Sequence, residues 1–303
     1  RSTAWVPGPV GAGRAAADAG LAEAAIDATA AESPASQRRQ ALLVGLLSPL
    51  AAVAGAPLAA SAEAPGRVAV LGGSGFVGRR ICEQLVAAGA EVVSLSRSGG
   101  PPPGTGAWAS KVQWLKGDVL APGGSDLAAA VAGADAVVSS IGSIGSGDDA
   151  RGNGATNEAA VAAATSAQAK RFVLVSASSQ VAKSGLDAVF GGYIEGKRRA
   201  EAAVAAQFPA SSLVLQPTFI YGGEDFSATP PRVAGWYGSK VEGLLDTGLF
   251  RGLAAATPGF FKLALSPPNS AEEVAAAAVA GALGQASGTL ADHDEIKAAA
   301  AKR

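Results

Sequence analysis

Residues 67–81 read Arg67-Val-Ala-Val-Leu-Gly72-Gly-Ser-Gly75-Phe-Val-Gly78-Arg-Arg-Ile81. A short β-branched run leads into three spaced glycines, and the glycines lead into a helical pattern. Gly72 permits the tight turn out of a strand. Gly75 lets the backbone approach a pyrophosphate with no Cβ in the way, and Gly78 lets the new helix pack against the sheet. The N–H groups of the helix start, around Phe76 and Val77, then face the anion. The stretch predicts a dinucleotide clamp at a first strand–helix junction.

Downstream, strands and helices alternate. Strands are predicted at 67–71, 91–95, 112–115, 134–141, 171–176 and 212–215, with helices at 78–88, 127–131, 156–169, 192–207 and 271–283. Gly89 stops the first helix, and Ser270 with Glu272 and Glu273 opens the last. The strands are apolar without alternation, as in a parallel sheet buried on both faces. Right-handed crossovers make this a doubly wound α/β fold of Rossmann type. The expected organisation is an NAD(P)-binding domain over 65–222, completed by a small C-terminal substrate region over 223–303.

Composition narrows the chemistry. The 303 residues are 49% hydrophobic with net charge −1, and no basic stripe interleaved with aromatics suggests nucleic acid. One Cys, Cys82, excludes a disulfide framework or cysteine metal cluster and reads as a small buried hydrophobe. One His, His293, set in a polar tail, leaves little material for a zinc site or a Ser-His-Asp triad. No metal site is expected, and proton transfer falls to Tyr, Lys, a carboxylate or water.

Residues 1–64 differ from the rest. They are rich in Ala, Ser, Gly and Pro, with Arg38-Arg39 ahead of a 20-residue apolar run over 41–60 that ends in Ala60-Ser61-Ala62. This resembles a twin-arginine signal behind an organelle transit sequence, although Asp18, Glu23, Asp27 and Glu32 are unusual in one. The run is also long enough to span a bilayer, but Pro49 and Pro57 weaken it as a helix. The segment is expected to be a targeting or anchoring element outside the fold.

The second strand ends Ser94-Leu95-Ser96-Arg97. An acid there would hold the ribose 2′-OH of NAD, and none is present. Arg97 can instead pair with a 2′-phosphate, with Ser96 and Ser98 as hydroxyl donors, which favours NADP(H), NAD(H) being the alternative. Arg79 offers a second charge. Asp118, after the third strand, lies where an adenine amino group is expected, or is simply a turn former. Tyr193 and Lys197 stand four apart on one helix face. A free phenol, with a pKa of about 10, is a poor acid–base catalyst, and a neighbouring ammonium brings that pKa down. The same Lys can hold the nicotinamide ribose.

At these residues the chain resembles the short-chain dehydrogenase/reductase superfamily. The resemblance rests on Gly72-x-x-Gly75-x-x-Gly78, Tyr193/Lys197, Phe172-Val-Leu-Val-Ser-Ala177 and Gln216-Pro-Thr-Phe-Ile-Tyr-Gly222. Within it the chain looks like the atypical, extended-like branch, which includes the nucleotide-binding accessory subunit of mitochondrial complex I. Ser94-Leu-Ser-Arg-Ser-Gly99 and Tyr193-Ile-Glu-Gly-Lys-Arg-Arg-Ala-Glu201 are most similar to chloroplast NAD(P)-binding proteins associated with plastoglobules. The resemblance implies Tyr193 and Lys197 as catalytic residues. It also asks for a Ser or Thr to hold the substrate carbonyl. Where extended members usually place it this chain has Ala177, so Ser178 or Ser179 would substitute. Asn157 stands where other members use an Asn-stabilised kink, or is a surface Asn.

Three functions follow as expectations. The first is an oxidoreductase moving hydride between NADP(H) and a lipophilic carbonyl or quinone-related compound. The second is a non-catalytic nucleotide-binding subunit or redox sensor of a membrane-associated complex. The third, on fold analogy alone, is a nucleotide-sugar epimerase. The expected location is the chloroplast, on thylakoids or plastoglobules, with the mitochondrion as alternative. Tyr221, Phe226, Trp236, Tyr237, Phe250, Phe260 and Phe261 concentrate aromatics in the C-terminal region, which suits an apolar ligand, a membrane-facing patch or an ordinary core.

Overall fold

The computed structural model describes residues 66–302, apart from 184–186, 224–226, 229–230, 233 and 257–258. The expected targeting segment 1–64 and Phe226 lie outside the described residues, as do the side chains of Phe260 and Phe261. Among the described residues no helix is long and apolar enough to cross a membrane.

The first half runs β1 (Arg67–Leu71), α1 (Gly78–Ala87), β2 (Glu91–Ser96), β3 (Val112–Lys116), α2 (Ser125–Val131), β4 (Ala136–Ser139) and α3 (Thr156–Ser166). A π-helical turn, Arg151–Ala155, leads into α3. Next come β5 (Arg171–Val175), α4 (Ser179–Ala182), α5 (Asp187–Gln207), β6 (Ser212–Leu215) and β7 (Ile220–Tyr221). The rest is β8 (Ser227–Ala228), β9 (Pro231–Arg232), α6 (Gly235–Leu245), α7 (Gly248–Ala256), α8 (Gly259–Ala264), β10 (Asn269–Ser270), α9 (Ala271–Ala282), β11 (Gly288–Leu290) and α10 (His293–Ala300).

Seven strands form one sheet in the order β11-β6-β5-β4-β1-β2-β3, every neighbour parallel. Strand direction in sequence order reverses between β1 and β4, which makes the crevice beyond their C-terminal ends a topological switch point. The apolar strand runs follow from burial on both faces. Val68, Val70, Val138 and Val173 point into one layer with α1 and α9, while Ala69, Leu71, Val137 and Phe172 point into the other with α2, α3 and α5. Alternation by face persists, but both faces need apolar side chains.

α9 lies close to the sheet because it is nearly all Ala and Val, and a Cβ on Gly281 would come within 2.5 Å of Leu213 Cδ2. Its capping box is formed by Ser270 and Glu273. Phe172 is fully buried against Phe208, ring centroids 5.6 Å apart. Phe172→Ala should lower unfolding stability by about 3–5 kcal/mol in a denaturant titration.

Two expectations need correcting. The six-stranded sheet has a seventh strand, β11, paired with β6 through Gly288–Leu290. His293 is not in a solvated tail: it is 7% exposed, opens α10, and its Nδ1 lies 3.1 Å from Asn269 Nδ2. Cys82 is buried in the sheet–α1 layer, and burial pushes its thiol up to about 12.

Candidate nucleotide-binding and active site

The glycine turn is held by its own backbone. Gly72 has φ +85°, in the left-handed region, and its N–H donates to Leu95 O at 2.8 Å. Gly75 N–H returns to Gly72 O, also at 2.8 Å. A Cβ on Gly78 would stand 2.2 Å from Gly72 O, so α1 can start here only without a side chain. Gly75 is exposed, and a Cβ there would meet nothing nearer than Gly72 O at 3.0 Å. Gly73, which the sequence pattern did not single out, is equally confined, 2.2 Å from Ser94 Oγ by the same measure. α1 has no side-chain cap and no acid in its first turn. A tight glycine cradle below an uncapped helix N-terminus fits a diphosphate.

The cradle opens into a cleft of about 860 Å³. Its walls include Gly72, Ser74, Gly75, Arg97, Asp118 and Gly142, from the ends of β1, β2, β3 and β4. At the β2 wall, Ser96 Oγ lies 2.8 Å from Ser74 Oγ, 3.2 Å from Ser98 Oγ, and accepts from Gly99 N–H. These hydroxyls stand where an acid would grip a ribose diol. Arg97 is exposed to the cleft. Asp118 does both things expected of it: it accepts Leu120 N–H in a turn at 2.9 Å and lines the cleft. Phe76 turns aside, its ring under Arg80 at 4.7 Å, and Val77 packs on the core.

Lys197 comes to the cleft wall from behind. It is 3% exposed, and its Nζ donates to Ile141 O and Val175 O, both at 2.9 Å. Gly142 lines the cleft, and a Cβ on it would lie 3.2 Å from that Nζ. Burial lowers the ammonium to about 8, against which Glu201 holds it charged. Tyr193 is partly buried one turn earlier on α5, with Lys197 Nζ 5.9 Å from its ring centroid. Burial pushes its phenol up to about 12, so the group is protonated at neutral pH. Ser178 is buried, and its Oγ accepts Gln180 N–H as the cap of α4. Of the expected site residues, Phe76, Val77, Gly78, Ser178, Tyr193 and Lys197 are not among those that line the 860 Å³ cleft.

The π-helical turn supplies what sequence reasoning missed. Asn153 is fully buried; its Nδ2 donates to Ser143 O and Asp149 O at 2.7 and 2.8 Å, and its Oδ1 accepts Ser143 N–H. Asn157 is not a surface residue. It is fully buried, its Nδ2 donates to Asn153 O, and its Oδ1 accepts from Ser139 Oγ. Gly196 lets α5 touch this turn, since a Cβ there would stand 2.7 Å from Asn153 Cβ. The signal was present as Gly142, Gly145, Gly147, Gly152 and Gly154 within one short segment: Gly145 and Gly147 take positive φ in the loop, and a Cβ on Gly154 would stand 3.2 Å from Gly196 Cα on α5.

Comparison with known proteins gives three kinds of likeness. A family model described as NAD(P)H-binding matches residues 72–225. A chloroplastic protein of Arabidopsis thaliana is 41% identical over 157 residues, 52% of this chain and 51% of that protein. A MIOREX complex component of Saccharomyces cerevisiae is 42% identical over 60 residues, 18% of this chain and 22% of that protein. The chain thus spans about half the length of the first relative and less of the second. A crystal structure from Burkholderia cenocepacia, described as that of an epimerase, shares the fold with a TM-score of 0.51 at 22% identity, covering 75% of each chain.

Proposed function

The chain belongs to the NAD(P)H-binding family, and from that premise we propose that it is an NADP(H)-dependent oxidoreductase acting on a lipophilic carbonyl or quinone-type substrate. The observation that carries this reading is the Tyr193–Lys197 pair, set behind the wall of a cleft whose glycine cradle is intact.

The chain's residues divide the work. Gly72, Gly75 and the start of α1 would hold the diphosphate, and Ser74, Ser96 and Arg97 the adenosine ribose with its phosphate. The nicotinamide, when bound, supplies or accepts a hydride. Lys197 is oriented by two backbone carbonyls, which leaves one N–H of its ammonium for a ribose hydroxyl. Tyr193, protonated at neutral pH, gives its phenolic proton to a substrate carbonyl oxygen as negative charge develops there. Ser178 Oγ keeps its own proton to donate to the same oxygen while accepting Gln180 N–H.

Incubation of the purified protein with NADPH and a panel of quinones and ketones should consume NADPH. A nucleotide carried through purification, identified by mass spectrometry, should be NADP(H). Arg97→Ala should weaken NADPH by about tenfold or more and leave NADH within about twofold, since only the 2′-phosphate pair is lost. Equal loss for both nucleotides would point to NAD(H).

The chloroplastic relative supports a plastid location, within which we place the protein on thylakoids or plastoglobules. A membrane-associated role is supported by the exposed apolar side chains Trp236, Tyr237, Leu244, Leu249 and Leu253 within one stretch of the C-terminal region, with Phe219 shortly before it. A second reading, a non-catalytic nucleotide-binding subunit, draws on the engagement of the Ser178 hydroxyl as a helix cap. It expects bound nucleotide without turnover.

A further inference from the structure

α5 carries Tyr193, Lys197 and Glu201 at four-residue intervals, hence on one face. Three successive residues leaving β5 are each gripped by one side chain of α5. Val175 O accepts from Lys197 Nζ at 2.9 Å, Ser176 Oγ donates to Glu201 Oε1, and Ala177 O accepts from Arg198 Nη2 at 3.1 Å. Ser178 comes next. Glu201 is the centre of this grip, because its other oxygen accepts from Arg198 Nη1. With its side chain only 17% exposed, it is partly shielded from solvent screening.

We propose that Glu201 is a positioning residue for the reaction: its carboxylate locks the segment that presents Ser178 onto α5 and sets a negative charge one helical turn from Lys197. The proposal rests on the oxidoreductase reading above. Removing the carboxylate releases the Ser176 hydroxyl and takes the counter-ion from Arg198. It also takes away the negative charge that opposes the burial of Lys197. The groups packed around that ammonium are Tyr193 on α5, Ile141 and Gly142 after β4, Asn153 on the π turn and Val175 on β5, and Glu201 stands one turn further along α5. Of these side chains, Tyr193 offers a phenol and Glu201 a carboxylate. Arg198 is the further charge felt by Tyr193.

The test is nucleotide affinity and turnover of the full chain, followed between about pH 6 and pH 10 with NADPH and NADH. Wild-type affinity should fall at alkaline pH as Lys197 loses its proton. In Glu201→Gln, which keeps an acceptor for Ser176, that fall should begin about one pH unit lower. Glu201→Asp should restore most of the wild-type profile. Ser176→Ala, which keeps the charge but loses the lock, should leave the alkaline fall in place and reduce turnover several-fold. An alkaline fall in Glu201→Gln that superimposes on wild type, even with uniformly weaker binding, overturns the proposal. If Glu201→Gln does not fold, unaltered turnover in Ser176→Ala overturns it. A wild-type protein that binds neither nucleotide removes the cofactor reading and this proposal together. Normal wild-type binding with an unmoved Glu201→Gln profile removes this proposal alone.

Discussion

Gly78→Ala should reduce nucleotide affinity at least about 100-fold, a loss of about 2.7 kcal/mol. The new Cβ would sit 2.2 Å from Gly72 O and 2.7 Å from Ser140 Oγ. The carbonyl cannot yield cheaply, because it already accepts from Gly75 N–H at 2.8 Å and closes the turn. Relief must come from α1 moving off the turn, which opens the cradle and tilts the helix start away from the diphosphate position. The same clash should cost about 1–3 kcal/mol of stability, as overpacking usually does. Two comparisons separate binding from folding. Gly75→Ala, with its Cβ 3.0 Å from Gly72 O on an exposed residue, should fold nearly as well as wild type and still lose affinity. Gly89→Ala, at φ +84° in open space behind α1, should cost about 1 kcal/mol without touching affinity. Fluorescence titration with NADPH, paired with thermal melts, reads both quantities. Wild-type affinity in Gly78→Ala would mean that the diphosphate does not lie at this junction.

The parts of this molecule legible in its sequence are those where one local requirement fixes the residue type. Strands β1, β2, β4, β5 and β6 announce themselves because burial on both faces makes their central residues almost wholly apolar, small Ser94 and Ser139 apart. Gly72 and Gly78 are legible because a positive φ and a 2.2 Å approach admit nothing else. β11 is illegible for the opposite reason. Gly288, Thr289 and Leu290 form a short sheet edge paired on one side only, so their composition is that of a loop. His293 reads as a tail residue because its burial depends on Asn269 and Glu242, which lie far away in sequence. α5 begins at Asp187, five residues before its expected start, because tertiary contact overrides the low helix propensity of Gly191-Gly192. Tyr193 and Lys197 are visible as a spacing. The grip on Ser176 and Ala177 joins residues more than 20 apart and appears only once α5 lies along β5.

Tyr193→Phe should lower turnover about 10²–10⁴-fold and leave nucleotide affinity within about twofold. The substitution deletes only the O–H, so the ring keeps its place beside Lys197, whose Nζ lies 5.9 Å from the ring centroid. The protonation states determine the direction and the pH dependence. With the phenol held near 12, Tyr193 carries its proton throughout the neutral range, the state needed to protonate a carbonyl oxygen during reduction. Lys197 is charged below about 8 and loses its proton above it. Reduction should therefore be flat on the acidic side of that value and fall by about tenfold per pH unit beyond it, the lysine setting the limb rather than the tyrosine. Binding of nucleotide to the ribose-holding lysine should weaken over the same interval. Tyr193→Phe then abolishes the rate but keeps the pH dependence of affinity, whereas Lys197→Met abolishes that dependence. A subunit that only stores nucleotide would show no rate to lose, and Tyr193→Phe would be indistinguishable from wild type in every measurement. The two readings thus part at a single oxygen atom, because both require the glycine cradle and the charged lysine, and only catalysis requires a proton on the Tyr193 hydroxyl.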